Sequence, residues 1–210
     1  LAGERGIGGL VWKADNSKIT NSSFKGRIVN SYETRSPYNI GGLVGQLTGI
    51  NAVVDKSKAT ITISSNADST NQTVGGLAGL VEKDALISNS YAEGNINNVK
   101  RFGSVAGIAG YLWDRDSSEE RHAGRLHNVL SDVNVMNGNA ISGYHYRGMR
   151  ITDSYSNKDN RVFKVTLEKD EVVTKESLEE RGTLIDAAKI ASKKSEINSL
   201  TAPKVESLLT

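Results

Sequence analysis

Residues Gly41–Gln46 read GGLVGQ, and nearly the same residues occur as GGLVWK at Gly8–Lys13 and GGLAGL at Gly75–Leu80. The second glycines of these copies are 33 and 34 residues apart, and a degenerate copy, AGIAGY at Ala106–Tyr111, follows after another 31. Recurrence at this period is the mark of a solenoid, a propeller or another array of repeated units. The doubled glycine therefore belongs to a repeated structural unit.

Short segments in which apolar and polar residues alternate follow each copy. They read ITNSSFKGRI at Ile19–Ile28, VDKSKATITI at Val54–Ile63, ISNSYAEGNI at Ile87–Ile96 and HNVLSDVNV at His127–Val135, and a truncated ITDSYSN starts at Ile151. Alternation is typical of strands, and these segments lack the spacing of an amphipathic helix. About three short strands in each repeat predict a mainly β fold, namely a right-handed parallel β-helix (β-solenoid) of about four coils.

The Gly-Gly-Leu copies are predicted to form one corner of each coil. A glycine there tolerates a positive φ and lets the next coil approach closely, while the leucine enters the core. A phosphate-binding loop is the alternative interpretation. Such a loop needs a following helix and usually Gly-Lys-Ser/Thr, which this sequence does not offer.

The alternation ends near residue 165, and the remaining residues are more typical of helices. Ser177 and Glu180 have the spacing of a capping box. A modest apolar stripe follows at Leu184, Ile185, Ala188 and Ala191. We therefore predict a β-solenoid over residues 1–165 and a short α-helical segment over 166–210, which caps the solenoid and links it to a following domain.

The composition excludes several classes of function. There is no cysteine, so the chain has no disulfide, no thiolate ligand for zinc and no thiol nucleophile. The 26 Lys and Arg against 24 Asp and Glu leave a net charge of +2, which gives no case for nucleic acid. The longest apolar run, Val105–Trp113, is too short to span a membrane. The lack of cysteine fits an exported protein and many cytosolic proteins as well, and the start without Met is expected of a piece of a longer chain.

Two groups of residues are candidates for chemistry. His122 and His127 are five residues apart with no glutamate to complete a ligand set, so we expect these and His145 to be solvated and not to bind metal. Glu93 and Asp132 fall in one column of the aligned repeats. Such a pair could act as acid and base on a glycosidic bond, although no aromatic platform aligns with it.

An insertion at Tyr111–Asn128, YLWDRDSSEERHAGRLHN, lengthens the fourth repeat. It places Trp113 near Arg115, Arg121 and Arg125, and Trp and Arg dominate the energetics of protein interfaces. We therefore name these four as possible partner-binding residues. The alternative is a solvated loop whose Trp113 folds back over the edge of the coil.

The GGLVG and GGLAG copies with their following Asn-Ser turns resemble the GLUG repeat of bacterial surface proteins. The wider run up to about Ser156 resembles the N-terminal, non-catalytic region of the streptococcal immunoglobulin A-specific zinc metalloproteases. This resemblance implies a virulence protease of Gram-positive bacteria that is secreted, attached to the cell wall and directed at host immunoglobulin A or a related glycoprotein. Its zinc would be bound by an H-E-x-x-H helix with a downstream glutamate.

No such motif occurs in this sequence, so the resemblance assigns no catalytic, cofactor-binding or metal-binding residue here. The implied function is that of a non-catalytic module of the protease, contributing substrate recognition, gating or scaffolding. Its partners would be the catalytic domain of the same polypeptide and the host substrate, with no nucleic acid and no membrane span. The alternatives are an adhesin stalk or binding module and a carbohydrate-active β-helix enzyme.

Overall fold

The structure, a computed structural model, describes residues 6–30, 39–65, 72–97, 104–113, 123–136, 138–145, 150–157 and 182–201. The first coil contains β1 (Gly6–Gly8), β2 (Val11–Asp15), β3 (Lys18–Thr20) and β4 (Ser23–Asn30). The second contains β5 (Asn39–Gly41), β6 (Val44–Thr48), β7 (Val53–Asp55) and β8 (Lys58–Ser65). The third contains β9 (Thr73–Gly75), β10 (Ala78–Glu82) and β11 (Leu86–Asn97), and the fourth contains β12 (Ser104–Ala106), β13 (Ala109–Trp113) and β14 (Arg125–Val135). The strands β15 (Ser142–His145), β16 (Arg150–Thr152), β17 (Tyr155–Ser156) and β18 (Thr183–Leu184) precede the helix α1 (Ala187–Thr201).

Equivalent strands of successive coils form three sheets. Sheet 1 has the order β1-β5-β9-β12, sheet 2 the order β15-β13-β10-β6-β2, and sheet 3 runs from β3 and β4 through β7, β8, β11, β14, β16 and β17 to β18. All pairs of these strands are parallel, as in the register of Ile7 with Ile40 and of Val11 with Val44. The predicted parallel β-solenoid is confirmed, and the expected number of about four coils is close to the four and five strands of sheets 1 and 2. The right-handed sense of the coils stays a prediction.

The Gly-Gly-Leu corners are places of close approach between coils. A Cβ atom on Gly42 would lie 2.0 Å from the carbonyl oxygen of Gly76, and one on Gly76 would lie 1.9 Å from that of Gly107. The predicted positive φ is wrong for these corners, because the described glycines with positive φ are Gly49, Gly94 and Gly182. The glycines are therefore needed for stacking and not for a left-handed turn.

The residues after the glycines form a column of the core. Leu43, Leu77 and Ile108 are fully buried, as expected, and each donates or accepts a backbone hydrogen bond along this column. Leu10 of the first coil is 41% exposed, because among the described residues no earlier coil covers it. The exposed residue beside it, Trp12, lies against Gly6, where a Cβ atom would collide with the indole ring.

The left-handed corner of each coil lies at the polar turn that leads into the second half of sheet 3. Residues with φ between 45° and 51° occupy equivalent positions there: Asn21, Lys56, Asn89, Asn128 and Asp153. Asparagine and aspartate adopt this conformation more readily than most residues. The side-chain nitrogen Nδ2 of Asn128 donates to Asn89 Oδ1 at 2.8 Å, and Nδ2 of Asn89 donates to Asp55 Oδ1 at 2.8 Å. These side chains therefore form a ladder of hydrogen bonds between coils.

The serines that follow Asn21, Lys56 and Asn89 form a second ladder. Ser57 Oγ accepts the backbone N–H of Ser22 at 3.1 Å, and Ser90 Oγ accepts that of Ser57 at 3.0 Å. Each of these hydroxyls donates in turn to the carbonyl two residues earlier in its own coil. Together the two ladders explain why Asn-Ser recurs in the repeats.

The C-terminal segment departs from the predicted pattern. The helix begins after Asp186, whose carboxylate accepts the backbone N–H of Lys189 at 2.9 Å. The predicted stripe is wrong, since Ala188 and Ala191 are exposed and Leu184 lies in β18, whereas the buried helical residues are Ile190 and Ile197. A spacing of seven residues means that the helix contacts the solenoid along a narrow seam.

The predicted boundary at residue 165 lies outside the described residues, as do Ser177 and Glu180, so the division into two domains stays a prediction. Strand β18 nevertheless pairs in parallel with β17, so part of the C-terminal segment extends sheet 3. None of the described helices is long and apolar enough to cross a membrane.

Candidate functional site

Glu93 and Asp132 lie side by side on the outer face of sheet 3. They are register partners in β11 and β14, as the aligned repeats predicted. Neighbouring strands are about 4.8 Å apart, so two carboxylates in this relation repel each other unless a cation lies between them.

Lys194 of α1 supplies that cation. Its Nζ lies 2.8 Å from Glu93 Oε2 and also donates to Asp132 Oδ2. Thr60 Oγ1 donates to Glu93 Oε1 at 2.8 Å, and the amide nitrogen of Asn157 donates to Asp132 Oδ1. All four carboxylate oxygens therefore accept hydrogen bonds.

Burial and hydrogen bonding act in opposite directions on the pKa values of this cluster. Burial would raise the pKa of Glu93, but hydrogen bonds from Lys194 and Thr60 and the charges of Lys194 and Lys58 together lower it from 4.5. Burial would lower the pKa of Lys194, but the hydrogen bonds to Asp132 and Glu93 raise it from 10.5. A catalytic acid in a glycosidase needs a raised pKa, so this arrangement favours a salt bridge over acid-base chemistry.

Apolar contacts surround the salt bridge. Ile190 and Ile197 pack against Tyr91 and Leu130, with Tyr155 and Ile185 at the margin. The Tyr91 hydroxyl donates to Asn198 Oδ1 at 3.4 Å, and the Lys193 ammonium lies 4.9 Å from the centroid of the Tyr155 ring. We call the surface formed by Tyr91, Glu93, Leu130, Asp132 and Tyr155 the docking face.

An open cavity of about 420 Å³ lies where α1 begins, beside the docking face. Asp132, Asn157, Asp186 and Lys194 are among its lining residues. Asn157 Oδ1 is buried there, and none of the described residues donates a hydrogen bond to it. The cavity is part of the seam between helix and sheet.

The predicted partner-binding residues are only partly described. Trp113 ends β13 and stacks on Tyr111, with ring centroids 5.8 Å apart and planes 14° from parallel. Arg125 starts β14, and its Nε donates to the carbonyl of Asp84 at 2.9 Å. Arg115 and Arg121 lie outside the described residues, so a partner site at these four residues stays a prediction.

Two of the three histidines lie within the described residues. His127 is exposed, and its Nδ1 lies 2.9 Å from Thr152 Oγ1 and 3.5 Å from a carboxylate oxygen of Asp153. His145 belongs to β15, and His122 lies outside the described residues. No group of three or more possible ligands occurs within the described ranges, and a protein zinc site uses three or four.

Sequence reasoning found the acid pair and a C-terminal helical segment, but it missed the contact between them. The signal was present in KIASKKSEI, where Ile190, Lys194 and Ile197 are at helical positions i, i+4 and i+7. The alanines of the predicted stripe, Ala188 and Ala191, lie on the exposed side of the helix and not on the side that contacts the solenoid.

Comparisons with known proteins match this architecture. The family model described as the GLUG motif matches residues 3–29, 36–64 and 70–97, and the described parts of these ranges lie in the first three coils. A Streptococcus sanguinis protein named Immunoglobulin A1 protease is 93% identical over 210 residues, which is 100% of this chain and 11% of that protein. A Streptococcus pneumoniae protein of the same name is 71% identical over 210 residues, or 11% of its length.

A more distant relative and a solved structure agree. The zinc metalloprotease ZmpC of Streptococcus pneumoniae is 36% identical over 178 residues, which cover 83% of this chain and 9% of that protein. A solved structure titled IgA1 Protease matches with a TM-score of 0.75 and 63% identity over 98% of this chain and 17% of that one. This chain spans about one tenth of the length of the relatives that it matches. The predicted resemblance is thereby confirmed: the chain contains GLUG repeats and is similar over its full length to a segment of streptococcal immunoglobulin A1 proteases.

Proposed function

We propose that this chain is a non-catalytic module of a large zinc metalloprotease that cleaves immunoglobulin A1 or a related host glycoprotein. The observation that carries the proposal is that Glu93 and Asp132, the candidate acid and base, both accept hydrogen bonds from Lys194 in a salt bridge. The names of the relatives support the protease as the parent protein. Zinc would be bound elsewhere in that polypeptide.

The module would contribute substrate recognition, gating or scaffolding. A solenoid buries a continuous core along its axis and leaves three long sheet faces for contact. Binding energy gained on such a face, at a part of the substrate remote from the cleaved bond, can raise the rate of cleavage. Its partners would be the catalytic domain of the same polypeptide and the host immunoglobulin, at the surface of the bacterial cell or attached to its wall.

Deletion of this segment from the full-length protease tests the proposal. We expect kcat/KM to fall strongly for intact immunoglobulin A1 and much less for a short peptide that contains the cleaved bond. A full-length variant with Lys25→Ala, an exposed residue of β4, serves as the control. Equal losses on the two substrates would indicate a scaffold needed for folding. No loss on either substrate would contradict the proposal and favour an adhesin stalk.

A further inference from the structure

The helix α1 is attached to the solenoid by few residues. Ile190 and Ile197 are its buried side chains among those described, at 6% and 1% exposure, while most of its other residues face solvent. An isolated helix of 15 residues is marginally stable in water, so the order of α1 depends on these contacts.

The coils of the solenoid, unlike α1, are held together by sheets and by a continuous core. Each coil pairs with its neighbours in three sheets, and the central cluster of buried side chains runs from Ile7 to Ile141. Elements with few buried contacts open at a lower free energy than a continuous core does. Opening of α1 therefore does not require the coils to separate.

Lys194 is the lysine of α1 that lies between the two carboxylates of the docking face. Its side chain is 22% exposed between the two carboxylates. Lys193, whose side chain is 15% exposed, lies over Tyr155 at the margin of the same face but pairs with Glu196 of its own helix. Lys189 is 71% exposed and pairs with Asp186. Departure of Lys194 would leave Glu93 and Asp132 adjacent without their bridging cation.

We propose that the docking face is a receptor for an amphipathic helix with two aliphatic residues seven positions apart and a lysine between them, and that α1 is its detachable ligand. The helix leaves the face as one unit while the coils stay folded, and the insertion of Lys194 between Glu93 and Asp132 decides whether it binds. A reversible contact of this kind would let the solenoid swing relative to whatever follows α1. Only this last statement, on movement of the solenoid, rests on the proposed function.

Hydrogen exchange of the complete 210-residue chain, followed by mass spectrometry, tests the proposal without any substrate. The variants are Lys194→Met, Lys194→Arg and, as the matched control on the same helix, Lys189→Met. We expect the amides of α1 to exchange at least tenfold faster than those of β6 and β10 in the unsubstituted chain. Lys194→Met should accelerate amide exchange in α1 by about another tenfold and leave exchange in β6 and β10 unchanged. Lys194→Arg and Lys189→Met should change exchange in α1 little.

Three results would overturn the proposal. Exchange of α1 at the rate of β10 would mean that the helix opens only with the solenoid. Equal rates in Lys194→Met and Lys189→Met would mean that the salt bridge does not govern docking. Loss of protection in β6 and β10 of Lys194→Met would show that α1 belongs to the cooperative unit of the coils. Because no protease activity is measured, none of these results bears on the role of the segment in substrate cleavage.

Discussion

A Cβ atom on Gly42 would lie 2.0 Å from the carbonyl oxygen of Gly76 in the next coil, so the two atoms would overlap. The same relation joins Gly9 to Gly42 and Gly76 to Gly107, so the column of glycines sets how closely the coils stack. Since the obstacle is backbone and not a flexible side chain, a substitution can be accommodated only by moving the coils apart.

We therefore expect Gly42→Val and Gly76→Val each to lower the free energy of unfolding by about 3 kcal/mol or more. Thr62→Val is the matched control, because it places the same side chain on a half-buried position of β8 and should change stability by less than about 1 kcal/mol. Urea denaturation followed by circular dichroism measures both. Equal midpoints for the glycine and threonine variants would contradict the account of the corners.

Asn89 serves the fold through its backbone and its side chain, and two substitutions separate these contributions. Both substitutions remove the side-chain hydrogen bonds of Asn89 to Asp55 and Asn128. Asn89→Gly keeps a residue that tolerates a φ of 45°, whereas Asn89→Ala places there a residue that does not adopt it readily. We expect Asn89→Ala to be the less stable variant, by about 1 kcal/mol relative to Asn89→Gly. Asn21→Gly, at the exposed equivalent position of the first coil, is the control and should change little. If alanine at residue 89 were as stable as glycine, the left-handed corner would not constrain the sequence.

Burial of Ile197 is expected to contribute more to docking of α1 than any exposed apolar residue of the same helix. Ile197→Ala should weaken docking by about 2 kcal/mol or more, because it removes a side chain that is 1% exposed. Leu200→Ala, at a residue that is 41% exposed, should have almost no effect. Helix content at low urea, where the coils are still folded, reports the difference. Similar helix loss in both variants would place the seam elsewhere on α1.

Docking of α1 should depend on pH through the salt bridge. The lowered pKa of Glu93 means that its contribution is present above about 4.5 and is lost as the pH falls through the lowered value. The raised pKa of Lys194 means that its contribution is present below about 10.5 and is lost as the pH rises through the raised value. Docking is therefore strongest between about pH 5 and pH 10.

Methyl chemical shifts of Ile190 and Ile197, compared with those of Ile61 in the solenoid core, follow this change. Glu93 also faces Lys58, Thr60 and Asp132, so Glu93→Gln serves as the reference in which its own titration is absent. We expect the acid-induced shift of the helix methyls to become smaller in Glu93→Gln. An identical acid transition in both proteins would assign the pH dependence to other groups, such as the capping residue Asp186, whose pKa is lowered mainly by the backbone N–H of Lys189.

The fold could be predicted because the signals for it are local and repeated. The period of the glycines gives the coil length, and alternation within each repeat identifies the strands. Parallel stacking then aligns equivalent residues, so the pairing of Glu93 with Asp132 followed from counting positions in the repeats.

The contact with Lys194 could not be found in this way. It joins residues separated by 101 positions, and α1 lies outside the repeats, so no period relates the two. The positive φ is also predicted at the wrong place, since it was expected at the Gly-Gly-Leu corners and lies at the polar turns within sheet 3. Glycine is compatible with both a positive φ and a close approach, and the sequence does not distinguish these causes.

Cleavage of immunoglobulin A1 by the purified chain is the measurement that most directly tests whether the segment acts by contact and not by chemistry. The chain would be incubated with the antibody and zinc, with and without a chelator, beside the full-length protease as the positive control. We predict that mass spectrometry finds intact antibody chains with the segment alone and defined fragments with the full-length protease. A fragment that is formed by the segment, is abolished by the chelator and persists after contaminating proteases are excluded would contradict the account.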